Sequence, residues 1–346
     1  MSEHDGHQHG QSHGHQQGHG HGHQQGSGHS HGHGAQDADF SVLTEMLDLD
    51  AEVLHEHLDE LTGWIQELSG GTGDAATSAD LATPTDATRS PDLATSPDAT
   101  RSAEKPGGRG PRVLDLGSGT GAGTFALLQR FPGAGITAVD ASPAMAARLA
   151  EKAAALGVAD RVRTVVADLD TEALPAGPYD LVWASASLHH MADPGRVLAQ
   201  VREVLRPGGL MVAVELEGFP RFLPDDLGFG RPGLEERVHA AQAEGRAAAG
   251  MHMTEDWGAR LREAGLDVVA ERVVAIDLAA PLPAATGRYV QASLTRVRSA
   301  LDEVLDAEDL ATLDALTDAD GPYGVLHRDD LTVRTERSVW VATRTP

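Results

Sequence analysis

Apolar positions along this chain repeat with two different periods, separated by long polar stretches. Between residues 38 and 68, Leu54, Leu58, Leu61, Ile65 and Leu68 recur every three or four residues, with Glu and His on the other face. This spacing draws one apolar stripe along a helix. A helical segment at 37–69, packed on the domain that follows, is therefore expected, with a dimer contact or an acceptor-site lid as alternatives. From residue 112 the pattern alternates between short apolar runs and helical periods. The runs predict strands at 112–116, 136–139, 162–166, 179–184 and 209–215, with helices at about 122–131, 143–155 and 194–205. Further on, helices are expected near 232–246, 254–264, 284–303 and 307–316, a strand near 267–275 and a Val-rich strand at 331–343. Strand and helix in alternation imply an α/β domain, 110–346, with a parallel sheet covered on both faces.

Two stretches carry no such period. Residues 1–36 are His-Gly-Gln repeats, too poor in apolar surface to offset the entropy of ordering, and are expected to be disordered. Residues 70–109 contain a duplication, in which Asp80–Ser90 recurs almost unchanged as Asp92–Ser102. Its Pro, Thr, Ser and Asp content suits a disordered, dispensable spacer rather than a repeat fold.

Composition narrows the partners. The 346 residues carry a formal net charge of −25, which argues against a nucleic-acid backbone as the main partner. No cysteine is present, so disulfides, thiolate nucleophiles and Cys-ligated zinc are excluded. No apolar signal core opens the sequence and no run reaches the ~18 apolar residues of a membrane span, so a cytoplasmic protein without a membrane partner is expected. Eleven of the 18 histidines lie in the tail: His4, His7, His9, His13, His15, His19, His21, His23, His29, His31 and His33. Their imidazoles can bind divalent metal labilely, but glycine spacers leave them unpositioned, and no metal is expected in the folded domain.

The most specific chemistry is Val113-Leu-Asp-Leu-Gly-Ser-Gly-Thr-Gly121, a strand ending in a glycine turn that opens a helix. Such a turn lets a small molecule lie against the main chain, because no Cβ holds it away. Gly117, Gly119 and Ala122 also satisfy the dinucleotide spacing, with Asp140 about where a ribose-binding acid belongs. Asp115, however, lies inside the strand, where a carboxylate repels a pyrophosphate but suits a cationic or amine-bearing ligand. A second acidic strand end, Ala167-Asp168-Leu169-Asp170, follows one unit after Asp140, and Leu205-Arg-Pro-Gly-Gly-Leu210 turns a helix into another strand.

These four landmarks, across Arg112–Leu216, resemble the class I S-adenosylmethionine (SAM)-dependent methyltransferase family. The resemblance implies a Rossmann-like, doubly wound, mostly parallel seven-stranded sheet with an antiparallel last strand, plus the N-terminal helix and helical cap insertions at about 217–265. It implies SAM as cofactor and methyl transfer to an oxygen or nitrogen of a small-molecule acceptor. Gly117, Ser118, Gly119 and Gly121 would face the methionine part, and Asp115 would help hold its amino group. Asp140 would accept both ribose hydroxyls, Asp168 the adenine amino group with the Leu169 N–H at a ring nitrogen, Ala141 and Met145 would flank the ring, and Ala184 would run under the sulfonium end. A histidine-rich metal-storage protein on a SAM-binding fold and an NAD(P)-dependent oxidoreductase are the alternatives, and methylation of a protein side chain stays open.

His189 and His190, in the loop after the fourth strand, are the candidate general bases, with Glu215 at the mouth of the fifth strand as a third. Paired histidines at this place can equally pack the loop. Glu215 and Glu217 can contact substrate, be solvated or pair with Arg221. The acceptor pocket is expected from the N-terminal helix, the 215–253 insertion and the region of Arg288 and Tyr289. Phe219, Phe222, Phe229 and Trp257 are candidates for its wall, and Arg288, Arg334 and Arg337 for anchoring a carboxylated acceptor.

Overall fold

A computed structural model describes residues 31–71, 110–251 and 255–345. The chain divides at Ala38, and of the unit before it only the helical residues 31–38 are described. Most of the histidine tail and the duplicated spacer lie outside the described residues. Two helices come first, α1 (His31–Val53) and α2 (His55–Gly71), where the apolar stripe predicts one. The break falls at Leu54, yet Leu54 N–H still donates to the Asp50 carbonyl (2.9 Å) and Leu58 N–H to Leu54 (3.1 Å), so the two helices join through a bend. α1 also begins inside the tract expected to lack structure. Adding a residue to an existing helix is far easier than nucleating one, so the apolar turns after Phe40 can extend backward through polar sequence.

The domain from residue 112 alternates as expected: β1 (Arg112–Leu116), α3 (Ala122–Arg130), β2 (Gly135–Asp140), α4 (Pro143–Ala155), β3 (Val162–Val166), β4 (Tyr179–Ser185), α5 (Pro194–Val204) and β5 (Leu205–Leu216). Then come α6 (Leu234–Ala248), α7 (Trp257–Glu263), β6 (Asp267–Leu278), α8 (Thr286–Ala300), α9 (Ala307–Thr317) and β7 (Val333–Thr343). The sheet order is β3-β2-β1-β4-β5-β7-β6. The pairs among β1 to β5 are parallel, and β7 runs against both of its neighbours, one place in from the β6 edge. β5 starts four residues earlier than the apolar pattern suggests. Arg206, Pro207 and Gly208 read as a turn, and Gly208 is indeed left-handed (φ +71°), but Tyr179 still pairs with Leu205 across an irregularity in the ladder.

Alternate residues of the central strands face opposite layers. Val113, Ile136, Trp183 and Val341 meet α2 and α3 through Leu61, Ile65 and Leu127, whereas Leu114, Val182, Met211 and Trp340 meet α5 and α7. A third core gathers the cap: Phe222, Leu223, Tyr289, Val290, Leu313 and Leu316, closed by Leu49 and Val53 of α1. Among the described residues, no helix is long and apolar enough to cross a membrane.

Because Ile65 is fully buried against the sheet, the segment before the spacer is part of the core. Ile65→Ala is expected to remove about 2–4 kcal/mol of stability, seen as a lower urea midpoint with an unchanged m-value. A midpoint equal to that of the unmutated protein would place α2 outside the cooperative fold.

Candidate active site

The glycine turn is built by close approach. Gly117, Gly119 and Gly121 all take positive φ (+66°, +51° and +96°), which L side chains rarely adopt. A Cβ on Gly117 would stand 2.4 Å from Ser187 Cβ, and one on Gly121 would stand 2.6 Å from the Phe125 ring. Ser118 N–H donates to the Val139 carbonyl (2.9 Å) and Gly119 N–H to Asp140 Oδ2 (2.8 Å), which fixes the turn to the tip of β2. Asp140 Oδ1 accepts Ser142 N–H (2.8 Å), and Ser142 in turn caps α4 through Met145 N–H (3.3 Å) with Pro143 at its first position. One carboxylate therefore sets both the turn and the start of a helix, and each of its oxygens retains accepting capacity.

Asp115 lies beneath the turn, 2% exposed, and Oδ2 accepts the Thr124 hydroxyl at 2.6 Å. Burial pushes its pKa up to about 7; the Thr124 hydrogen bond opposes the shift, and the nearby Asp140 charge adds to it. Asp168, one strand further out, is exposed at the tip of β3. It accepts Asp170 N–H and the Thr171 hydroxyl, both at 2.9 Å, in a self-closed turn. Leu169 and Met145 are buried, and Ala141 is exposed. Asp170 ties this turn to the far loop by accepting Ala192 N–H (2.9 Å).

The loop after β4 carries the strongest polar constellation. Glu215 of β5 is 4% exposed; its Oε1 accepts Leu188 N–H (2.9 Å) and Ser187 N–H (3.3 Å), and Oε2 lies 2.5 Å from His189 Nδ1. Ser187 completes the connection by donating its hydroxyl to the Leu116 carbonyl (2.8 Å) beside Gly117. His189 is thus a buried partner of Glu215, and the two hold the loop. His190, its ring 4.1 Å from that of His189, has no hydrogen-bond partner among the described residues. Desolvation, and then the His189 ring, hold its pKa below the ordinary imidazole value. Ala186 takes φ +50°, the one such residue outside glycine among those described. Strain of this kind, of order 1–3 kcal/mol, persists only where surrounding structure imposes it.

Ala186 also lines an apolar cavity of about 380 Å³ between the sheet and the cap. Its wall includes Met46, Leu47 and Asp50 of α1, Phe219 and Phe222, and polar groups from α6, α8 and β7. The three segments expected to build an acceptor pocket all contribute. Of the four aromatics, Phe219 and Phe222 line it; Trp257 is in the core beneath the sheet, and Phe229 stacks on Tyr323. Of the three arginines only Arg337 does, and it is bonded to Asp50 (3.2 Å), which also accepts the Tyr289 hydroxyl (2.6 Å). Arg288 pairs with Glu45, and Arg334 donates to the Leu223 carbonyl. Arg221 pairs with Glu236 rather than with Glu215 or Glu217, and Glu217 accepts the Ser338 hydroxyl instead. The α6 residues His239, Gln242 and Arg246 escaped the sequence reading. Their signal was present, since they share a helix face with Leu234, Val238 and Ala241.

Among the described residues, no group of three or more His, Asp or Glu side chains is placed to hold a metal ion. The turn, by contrast, fits an adenosyl cofactor: Gly119 faces open space bordered only by Leu47, with carboxylates at successive strand tips.

Residues 114–211 match the family model of the methyltransferase domain. Malonyl-[acyl-carrier protein] O-methyltransferase of Laribacter hongkongensis is 38% identical over 110 residues, 30% of this chain and 37% of that protein. The 27-O-demethylrifamycin SV methyltransferase of Amycolatopsis mediterranei is 32% identical over 159 residues, 46% of this chain and 54% of that protein. The chain thus spans at most about half the length of these curated relatives. Among solved structures, phosphoethanolamine N-methyltransferase 2 of Haemonchus contortus is similar over 70% of this chain and 50% of its own, at 18% identity and a TM-score of 0.40. The matched segment holds the glycine turn, Asp140, Asp168 and Leu205–Leu210, and the match and these relatives support SAM-dependent methyl transfer by a domain of this kind.

The raised pKa of Asp115 has a measurable sign. Between pH 4 and 7 the folded protein keeps a proton on this group that the unfolded chain releases. The stability it contributes is complete below the unfolded value of 3.8 and declines as pH rises toward 7. Asp115→Asn is expected to lose that decline, so the variant gains on the unmutated protein by at most about 1.4 kcal/mol per pH unit across the window. Parallel stability–pH curves from denaturant melts would count against it.

Proposed function

We propose that this chain transfers the SAM methyl group to an oxygen or nitrogen of a small molecule held in the apolar cavity. One observation carries the reading: the cavity and the glycine turn share a neighbour in Leu47. Leu47 lines the cavity and stands 3.8 Å from where a Cβ on Gly119 would be, and Ala186 lines it from the end of β4, the strand beside β1. When bound at that turn, the cofactor supplies an electrophilic methyl on a sulfonium.

The protein's part is chiefly alignment, since an in-line displacement depends on holding donor and acceptor in register. Gly117 to Gly121 and Asp115 would receive the methionine end, with the Ala184 backbone under the sulfonium. Asp140, preset by two main-chain donors, would take the ribose hydroxyls through its remaining lone pairs. Asp168 and the Leu169 N–H would take the adenine edge, between Ala141 and Met145. The cap would cover the acceptor side.

Where the acceptor atom carries a proton, His190 would be the base among the three candidates, because its ring nitrogens are uncommitted and its lowered pKa favours the neutral form. His189 and Glu215 would then be positioning residues beneath it. The acceptor is read as a small molecule because the cavity volume falls in the usual range for small-molecule sites.

Calorimetry with S-adenosylhomocysteine is the test. Asp140→Ala is expected to weaken binding at least tenfold, or about 1.4 kcal/mol. Unchanged affinity would reject the ribose assignment, and an unmutated protein that binds NADH but not S-adenosylhomocysteine would reject the reading itself.

A further inference from the structure

The charge on the cavity wall is at odds with the rest of the chain. Acidic residues outnumber basic ones 52 to 27, and most described arginines at the surface of the cap find a carboxylate. Three arginines line the cavity, and only Arg337 is neutralised, by Asp50. Arg246 and Arg296 meet no carboxylate among the described residues. The other wall carboxylate, Glu235, is committed elsewhere: Oε1 accepts Phe222 N–H (2.5 Å) and Leu223 N–H (3.1 Å).

Arg246 is the more exacting case. Its Nη1 is buried without a hydrogen-bond partner, as is Gln242 Oε1 one turn earlier on α6. Its guanidinium lies 4.5 Å from the centre of the Phe219 ring, against the apolar wall. Burial lowers its pKa with no opposing acid. His239, on the same face, supplies no counter-charge, since an imidazole is neutral or cationic; burial and then the Arg221 charge push its pKa down to about 4. A partly buried cation with an unpaired N–H is costly unless a ligand completes it.

We infer that the acceptor is an anion: an apolar body bearing one carboxylate or phosphate head, which Arg246 receives and Arg296 helps to neutralise. This rests on the cavity being the acceptor site. Arg246 then determines specificity, since a neutral isostere leaves its buried N–H and its charge unanswered.

Octanoate, octyl phosphate and octan-1-ol separate the possibilities by calorimetry, titrated with and without saturating S-adenosylhomocysteine. At least one anion is expected to bind ten times more tightly than the alcohol. That preference should fall at least fivefold in Arg246→Met and disappear in the Arg246→Met/Arg296→Met pair, with S-adenosylhomocysteine affinity within twofold throughout as the check on folding. The stronger anion identifies the head group. Equal binding of the alcohol, a preference that survives in the double variant, or no binding of any of the three overturns the inference. Failure of S-adenosylhomocysteine to bind the unmutated protein falls on the methyl-transfer reading instead, and an anion preference measured without it still stands.

Discussion

The site depends on one buried carboxylate. Glu215 gathers two main-chain N–H groups and an imidazole, and in doing so fixes the loop after β4 to β5. Through Ser187, which packs where Gly117 leaves no Cβ and donates to Leu116, the same loop is held to the glycine turn. Three strands are thereby locked together at their carboxyl ends, where ligands of open α/β sheets sit. Removing one partner of such a buried cluster is far more damaging than its net contribution suggests, because the others are left unpaired in a low-dielectric interior. Two of the three residues that look most like catalysts in the sequence, His189 and Glu215, thus hold the loop, and the strained Ala186 lies beside them.

The succession of strands along the chain and the glycine turn were legible because both are written in short-range rules. Alternation marks β1, β2 and β4, and the glycines mark the turn. β5 was read short because Pro207 and Gly208 resemble a loop, while the pairing that keeps them in the ladder comes from Tyr179, more than 20 residues away. The split between α1 and α2 was hidden for a similar reason: the apolar stripe continues through Leu54, and only packing into two different cores separates the halves.

The acceptor side was legible by region and illegible by residue. Tyr289 and Arg337 were visible as candidates, but their partner Asp50 lies 287 positions before Arg337, among helical acids that look solvated. By sequence Arg246 is one more arginine in a polar helix. Only the enclosure of that helix face by Phe219 and α8 distinguishes it, and enclosure is a tertiary property. Likewise Arg221, one of the partners open to the strand-tip glutamates, turns to Glu236, while Glu215 is already committed to the loop.

One turn of α1 belongs to two neighbourhoods at once. Asp48 bonds Lys152 (2.7 Å) and Arg148 (3.0 Å) on α4, next to the glycine loop, while Asp50 bonds Tyr289 and Arg337 on the cap. Leu47, between them in space, faces both. A ligand that displaces this turn on either side must do work on the other, so the two binding free energies are linked, and thermodynamics makes that linkage reciprocal.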